Sequence, residues 1–236
     1  MTEQLQPIPE DWTTALAIVA HPDDMEYGAA SAVARWTDLG KDVRYVLVTR
    51  GEAGIESMPP DAVGPAREHE QRRSCATVGV SVVEFLDHPD GLVEEGIPLR
   101  RDLAAAIRRH LPEVILSINY RDGWGPGSWN HADHRAVGRA LLDAVRDAAN
   151  PWVFTDAGAA WSGVRFAAFG GSPQQTHAVD VTGYLDRGIA SLRCHEVYLA
   201  NLEGAEDPGA FMRAGAESTG ALLGVQHAAG FELVMF

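Results

Sequence analysis

The chain of 236 residues is poor in cysteine and has no long apolar run. Its two cysteines, Cys75 and Cys194, lie far apart and show no CxxC spacing. This pattern excludes a disulfide scaffold and predicts two packing thiols in a protein of the reducing cytoplasm. Because every apolar run is too short to cross a bilayer, no membrane partner is expected.

Basic residues are also scarce: 19 Lys and Arg stand against 33 Asp and Glu, a formal net charge of −14. This imbalance argues against nucleic-acid backbones and anionic membranes as main partners, because both require positive charge. Without a visible linker or repeat, the sequence predicts a single domain over residues 1–236 with a loose N-terminal arm over 1–14. A small-molecule partner fits this balance, and a homo-oligomer remains open.

Apolar runs and helical patterns alternate through the first two thirds of the chain. We predict strands at 15–20, 43–49, 80–86 and 113–118, and helices at 28–39, 66–78, 98–110 and 131–148. This order predicts an α/β fold with a Rossmann-like, mostly parallel sheet and helices on both faces. The C-terminal third reads as less regular α+β structure, with strands at 152–155, 164–169 and 231–236 and helices at 182–200 and 208–223.

Polar clusters follow three of these strands. They are His21-Pro22-Asp23-Asp24 after the first strand, Arg50-Gly51-Glu52 after the second, and His131-Ala132-Asp133-His134 after the fourth. Ligands of open parallel sheets bind at the carboxyl ends of the strands. The first and third clusters are therefore expected to face one site.

Two histidines and one carboxylate with an open position form a common catalytic zinc shell. We predict His21, Asp24 and His134 as ligands of Zn²⁺. Adjacent residues of an extended segment point in opposite directions, so Asp23 stays off the metal and is predicted to act as the general base.

The two remaining polar residues of the third cluster, His131 and Asp133, complete the predicted chemistry. His131 would offer a proton to a developing oxyanion or a leaving amine, and Asp133 would fix the tautomer of His131. Together the residues predict metal-assisted hydrolysis of an amide or an ester.

Other interpretations remain open from the residues alone. His21 is equally typical of a buried, hydrogen-bonded histidine, and Asp23 and Asp24 of a helix N-terminus. A carboxylate-rich strand end also suits a phosphoesterase that holds two cations. A catalytically silent sugar- or nucleotide-binding module is the third alternative, although the first turn lacks a Gly-x-Gly-x-x-Gly run.

The motifs also resemble a known group of enzymes. His21-Pro22-Asp23-Asp24-x-Glu26 after the first strand, with His131-x-Asp133-His134 opening a later helix, is similar to the PIG-L/LmbE superfamily of zinc-dependent N-acetylglucosamine deacetylases. The resemblance extends through Thr49 to Gly54 and to Asp90-Gly91. It implies removal of an acetyl group from an amino sugar or glycosidic conjugate, with the same metal ligands, Asp23 as base and His131 as acid or oxyanion stabiliser.

The resemblance adds substrate-binding candidates. It implies that Arg67 contacts substrate hydroxyls and that Glu52 lies near the site, although a surface charge and a loop cap are the plainer interpretations. Asp90, at the end of the third strand, is a further candidate. Trp129 stands where some sugar deacetylases carry a carbonyl-polarising tyrosine, and its loop, 123–129, is a candidate stacking platform or lid.

Overall fold

The computed structural model describes residues 4–202 and 207–236. Within these ranges the chain forms eight strands and eight helices. The strands are β1 (Gln6–Pro7), β2 (Thr14–Val19), β3 (Asp42–Leu47), β4 (Val83–Phe85), β5 (Val114–Ile118), β6 (Phe166–Gly170), β7 (His177–Asp180) and β8 (Ala228–Met235). The helices are α1 (Asp24–Gly28), α2 (Ala30–Asp38), α3 (Pro60–Thr77), α4 (Ile97–His110), α5 (Ala132–Ala149), α6 (Leu185–Leu192), α7 (Glu196–Ala200) and α8 (Pro208–Leu223).

The strands form one mixed sheet in the order β1-β7-β8-β6-β5-β2-β3-β4. The block from β6 to β4 is parallel, and β8 pairs antiparallel with both β6 and β7. The predicted mostly parallel α/β sheet is therefore confirmed. The antiparallel pairs of the sheet involve β8, which lies in the C-terminal third of the chain.

Side chains of the central strands alternate between two apolar layers because successive residues of a strand point to opposite faces. On β2, Ala15, Ala17 and Val19 pack with α2, whereas Leu16 and Ile18 pack with α4 and α5. Both faces of the parallel block are buried in this way, as expected when crossover helices cover a parallel sheet.

The strand order places a topological switch point between β2 and β5. The chain proceeds outward from β2 through β3 to β4, then returns through α4 to β5 on the other side of β2. The loops after β2 and β5 consequently diverge at the carboxyl ends of the strands and leave a crevice. A ligand site of an open α/β sheet lies at such a point.

Several predicted elements differ from the structure. The helix expected at 28–39 corresponds to α2, and a separate short helix, α1, precedes it and begins at Asp24. The helix expected at 66–78 begins at Pro60, since a proline at the first helical position is compatible with the helix and Pro65 is accommodated within it. The helix expected at 182–200 is interrupted between α6 and α7.

Among the described residues of the C-terminal third, one strand prediction was wrong and one observed strand was not predicted. Residues 152–155 are a turn in which Phe154 has a positive φ of 48°, and β7 was not predicted. The N-terminal arm is also less loose than expected, because β1 pairs with β7 and the side chain of Trp12 is buried. Among the described residues, no helix is long and apolar enough to span a membrane.

Candidate active site

A tight turn after β2 brings His21 and Asp24 side by side. Asp23 adopts a left-handed conformation with φ 86° and ψ −18°, which costs a residue with a side chain about 1–2 kcal/mol. The turn lets a carboxylate oxygen of Asp24 accept a hydrogen bond from the backbone N–H of His21 at 2.9 Å. The side chains of Asp23 and Asp24 were expected to point in different directions because the segment is extended. Their different directions arise instead from this turn.

The start of α5 fixes the orientation of His134. The side-chain oxygen of Asn130 accepts hydrogen bonds from the backbone N–H of His131 and from Nδ1 of His134, at 2.8 and 2.9 Å. The side-chain nitrogen of Asn130 donates to the carbonyls of Asn119 and Arg121. A proton on Nδ1 leaves Nε2 of His134 with a free lone pair that faces the turn after β2.

Three ligand atoms meet between the two loops. His134 Nε2 lies 3.0 Å from Asp24 Oδ1 and 3.1 Å from His21 Nδ1, and His21 Nδ1 lies 3.7 Å from Asp24 Oδ1. Ligand atoms of a tetrahedral zinc site with bonds of about 2.0–2.1 Å are about 3.3–3.4 Å apart. The spacing and the donor set, two imidazoles and one carboxylate, therefore fit a divalent metal ion.

The electrostatics of these side chains support the same interpretation. Burial would raise the pKa of Asp24, but His134 and His21 outweigh it and hold this pKa far below its ordinary value. Burial would lower the pKa of His21, but Asp24, Asp133 and Asp90 hold it well above its ordinary value. The pocket therefore stabilises positive charge beside an ionised carboxylate, as a cation site requires.

The opposite edge of His21 is held by two more carboxylates. Nε2 of His21 lies 3.1 Å from Asp133 Oδ2 and 3.1 Å from Asp90 Oδ1. The Asp133 carboxylate also accepts hydrogen bonds from the backbone N–H groups of Gly91 and Val93. A carboxylate behind an imidazole ligand fixes its tautomer and raises its basicity.

This arrangement corrects the role expected for Asp133. Its carboxylate orients His21 and the loop after β4, and it does not hydrogen-bond to His131. Instead, the backbone N–H of Asp133 donates to Nδ1 of His131 at 3.2 Å, so the proton of the neutral ring lies on Nε2. Burial and the neighbouring His21 lower the pKa of His131, which favours this neutral form.

Asp23 lies in the wall of the cavity beside the ligand set and is held by α3. Arg67 donates to its carboxylate at 2.9 Å, and the side-chain oxygen of Gln71 accepts from its backbone N–H at 3.0 Å. Burial raises the pKa of Asp23 to about 6, with Asp24 adding to the rise and Arg67 opposing it. A buried carboxylate with a raised pKa suits a general base.

Arg67 and Glu52, two of the predicted substrate-binding residues, have different surroundings in the structure. Arg67 is only 3% exposed, donates to the carbonyls of Pro22 and Gly51, and lies 4.1 Å from the ring centre of Tyr198, so it is not a surface charge. Glu52 caps the backbone N–H groups of Arg50 and Asp90, which is the plainer of its two interpretations.

The two tryptophans of the loop after β5 have different surroundings. Trp129 is 71% exposed and packs under the guanidinium of Arg135. Trp124 instead lines the cavity, and its ring lies edge-on to His134 with centroids 5.9 Å apart. Trp124, rather than Trp129, is therefore the aromatic residue of this loop beside the ligand set.

Tyrosine side chains also lie near the cavity. Tyr27 and Tyr198 line it, whereas the hydroxyl of Tyr120 lies 3.4 Å from Glu232. Burial raises the pKa of Tyr27 to about 12, so its hydroxyl stays protonated.

A buried polar layer supports the turn from behind. Glu26 is fully buried and accepts hydrogen bonds from Gln71 at 2.8 Å and Ser74 at 2.5 Å. His195, also fully buried, has its Nε2 3.8 Å from Glu26. Gln71 therefore connects this layer to Asp23, a role that sequence alone did not indicate because α3 is distant in the chain.

Comparisons with known proteins agree with this geometry. The family model described as PIG-L, GlcNAc-PI de-N-acetylase, matches residues 16–145. The chain is similar to diacetylchitobiose deacetylase of Thermococcus kodakarensis, at 28% identity over 79% of this chain and 70% of that protein. It is also similar to 1D-myo-inositol 2-acetamido-2-deoxy-alpha-D-glucopyranoside deacetylase of Kineococcus radiotolerans, at 31% identity over 56% of this chain and 45% of that protein.

Solved structures share the fold. N,N'-diacetylchitobiose deacetylase of Pyrococcus horikoshii superposes with a TM-score of 0.85 over 95% of this chain and 85% of its own, at 23% identity. GalB of Pseudomonas putida, a 4-carboxy-2-hydroxymuconate hydratase, has a TM-score of 0.76 over 95% of this chain and 97% of its own, at 20% identity. At this level of identity both likenesses concern the fold alone, and the fold carries more than one chemistry.

Proposed function

Because the chain belongs to the PIG-L family, whose model covers more than half of it, we propose that it is a zinc-dependent hydrolase that removes an N-acetyl group from an amino sugar or a GlcNAc-type conjugate. The observation that carries this proposal is the convergence of His21, Asp24 and His134 beside the buried carboxylate of Asp23. The two sequence relatives, from Thermococcus kodakarensis and Kineococcus radiotolerans, are named as deacetylases of such sugars.

The bound ion would supply Lewis acidity to the amide carbonyl and lower the pKa of a water molecule. Asp23 accepts the proton of the attacking water, because its carboxylate lines the cavity and its pKa is raised to about 6. Arg67 and Gln71 hold this carboxylate and its backbone in place. The chain therefore presents a fixed base beside the ligand set rather than a mobile one.

His131 stabilises the oxyanion that develops on the amide carbonyl. With Nδ1 accepting from the backbone N–H of Asp133, Nε2–H is available to the carbonyl oxygen as negative charge develops on it. When the C–N bond breaks, the proton that Asp23 accepted from the water passes to the leaving amine, which restores the Asp23 carboxylate, while His131 keeps its Nε2 proton. The products are the carboxylic acid and the free amino sugar.

The finer assignments belong to this proposal as well. Zinc is preferred to magnesium because two of the three ligands are imidazoles, and magnesium favours oxygen ligands. We also propose that the protein works in a reducing cytoplasm, which fits two free cysteines. We further propose that the chain forms a single domain, that Asp90 contacts the substrate and that the protein forms a homo-oligomer.

Acetate release from a panel of N-acetylglucosamine conjugates tests the proposal. At equal zinc content, Asp23→Asn should lower kcat by about 100- to 10,000-fold, since it removes the general base while keeping the shape. The matched control is Asp42→Asn, an exposed carboxylate at the start of β3, which should keep wild-type activity. Undiminished activity of Asp23→Asn would refute the role of the base, and failure to release acetate from any member would refute the substrate class.

A further inference from the structure

A cavity of about 670 Å³ begins at the candidate site and extends away from it. Asp23, Asp24 and His134 stand in its wall, whereas His131 and Asp90 do not. The cavity is therefore a continuation of the reaction site and not a separate pocket. Its volume is within the range of pockets that enclose a ligand of drug size.

The part of the wall formed by α6 and α8 is largely apolar, whereas Ser31, Gln175 and Tyr198 add polar side chains elsewhere in the lining. Helices α6 and α8 contribute Leu185, Phe211, Met212 and Ala216, and Thr219 is the one polar side chain these two helices add among the described residues. The hydroxyls of a sugar ring placed against this wall would lose hydrogen bonds to water, at about 1–3 kcal/mol for each unpaired group. The wall therefore favours an apolar group over a second sugar.

The rim of the cavity is apolar and open. Phe211 is 65% exposed and Trp124 is 40% exposed, and both line the cavity. The ring of Phe211 lies edge-on to Tyr27 with centroids 6.3 Å apart. Exposed aromatic side chains that continue into a cavity indicate a surface that a ligand covers.

The depth of the cavity depends on small residues opposite this wall. The chain presents Gly28-Ala29-Ala30 at the junction of α1 and α2, and Ala228-Ala229-Gly230 at the start of β8. An added Cβ at Gly230 would lie 2.2 Å from the side-chain oxygen of Gln175, which also lines the cavity. An acetyl group brings a single methyl to the reaction site, which leaves most of this apolar space unused.

We infer that the physiological substrate carries an apolar substituent, alkyl or aryl, which occupies the cavity between α6, α8 and β8 while the amide lies at the ligand set. This inference rests on the proposed function and deepens it. The substituent is either the N-acyl group itself or the group linked to the anomeric carbon, since both can reach the same wall from an amide held at His134.

Two substrate series distinguish these sources. In the first, methyl glucosaminide carries N-acetyl, N-butanoyl, N-hexanoyl or N-octanoyl groups; in the second, N-acetylglucosamine carries methyl, butyl, hexyl or octyl aglycones. Each methylene that becomes buried should raise kcat/KM by about fourfold until the cavity is full. A rise in the first series assigns the cavity to the acyl group, and a rise in the second assigns it to the aglycone.

Ala216→Phe tests the wall itself, because the new ring occupies the cavity. It should lower the ratio of kcat/KM for the favoured long substrate to kcat/KM for the N-acetyl methyl glycoside by about tenfold or more, since several buried methylenes are displaced. The matched control, Ala214→Phe, places the same side chain on an exposed position of α8 that does not line the cavity. It should change neither value.

Binding provides a readout that does not depend on turnover. Calorimetric titration of the Asp23→Asn protein with the favoured long substrate should show a negative heat-capacity change, which Ala216→Phe reduces. If short substrates are hydrolysed but both series are flat or fall with length, the inference is wrong while the proposed function stands. If no amide in either series is hydrolysed, the proposed function fails first.

Discussion

At the scale of single residues, the site depends on one strained backbone position. Asp23 is one of three non-glycine residues with a positive φ among the described residues, and it lies directly beside a metal-ligand candidate. Strain of this kind persists only where the surroundings hold the residue in place. Here the surroundings are two side chains of one helix, Arg67 on the carboxylate and Gln71 on the backbone N–H.

The first prediction concerns Gln71. Gln71→Leu keeps the approximate size but leaves the N–H of Asp23 without an acceptor and removes one of the two donors to the buried carboxylate of Glu26, which should cost about 2–4 kcal/mol of unfolding free energy. The reaction should suffer mainly in kcat, because the base loses its position. Denaturant unfolding and steady-state kinetics measure the two effects.

Gln71→Glu is the informative companion variant. It keeps the oxygen that accepts from Asp23 but sets a carboxylate against Glu26, so stability should fall while the backbone contact persists. If Gln71→Leu retained the wild-type kcat, the link between this contact and the position of Asp23 would be wrong.

The second prediction concerns Asn130, which orients His134. Asn130→Ala removes the acceptor of the Nδ1 proton and should weaken zinc affinity by about 10- to 100-fold, as loss of an orienting partner does at other metal sites. Competition with a chromophoric chelator measures the affinity. Asn150→Ala, at the exposed opposite end of α5, is the control and should bind zinc like the wild type.

At the scale of elements, α5 must approach the sheet closely to bring His134 to the ligand set. The helix does so at Gly138, where an added Cβ would lie 2.2 Å from Cβ of Tyr120. Tyr120 itself follows β5 and packs against Phe169 with ring centroids 4.5 Å apart. The distance between α5 and the sheet is therefore set at Gly138, four residues beyond the candidate ligand His134.

The third prediction compares two helical glycines. Gly138→Ala should lower the unfolding free energy by about 1–3 kcal/mol through overpacking against Tyr120, and it should weaken metal binding by displacing α5. Gly215→Ala in α8, where an added Cβ meets no atom within 4 Å, should raise stability by about 0.5–1 kcal/mol. Equal effects of the two substitutions on thermal unfolding would contradict this account.

At the scale of the whole molecule, the candidate metal joins two halves of the sheet. His21 and Asp24 follow β2, and His134 lies in α5 beyond β5, on the other side of the switch point. An ion bound only by the folded chain stabilises it by mass action, about 4 kcal/mol at a thousandfold excess over Kd. Metal binding is therefore expected to support the fold as well as the reaction.

The fourth prediction follows from this coupling. Removal of metal with a chelator should lower Tm by about 10 °C, and stoichiometric zinc should restore it, because about 4 kcal/mol corresponds to such a shift in a chain of this size. Differential scanning calorimetry makes the comparison. Asp24→Asn with His134→Ala should show no response to zinc; a response equal to that of the wild type would place the ion elsewhere.

The sequence by itself determined the alternating α/β order, the strand ends at which the polar clusters lie, and the family. These features are local: apolar periodicity marks the strands and helices, and the motifs occupy consecutive residues. For the same reason β2 and β5 were predicted within one or two residues of their observed ends. The predicted ligands His21, Asp24 and His134 are one of two groups of described side chains that lie close enough to hold a metal ion, and their assignment as ligands stays a prediction.

Only the tertiary structure decided which way each of these side chains points and what supports it. The carboxylate of Asp133 contacts His21 rather than His131, and Trp124 rather than Trp129 lines the cavity. The side chain of Gln71 accepts a hydrogen bond from a backbone N–H 48 residues away. The apolar cavity likewise exists only where α6, α8 and β8 come together. Such contacts join residues that are distant in the chain, and no local pattern of sequence encodes the distance between them.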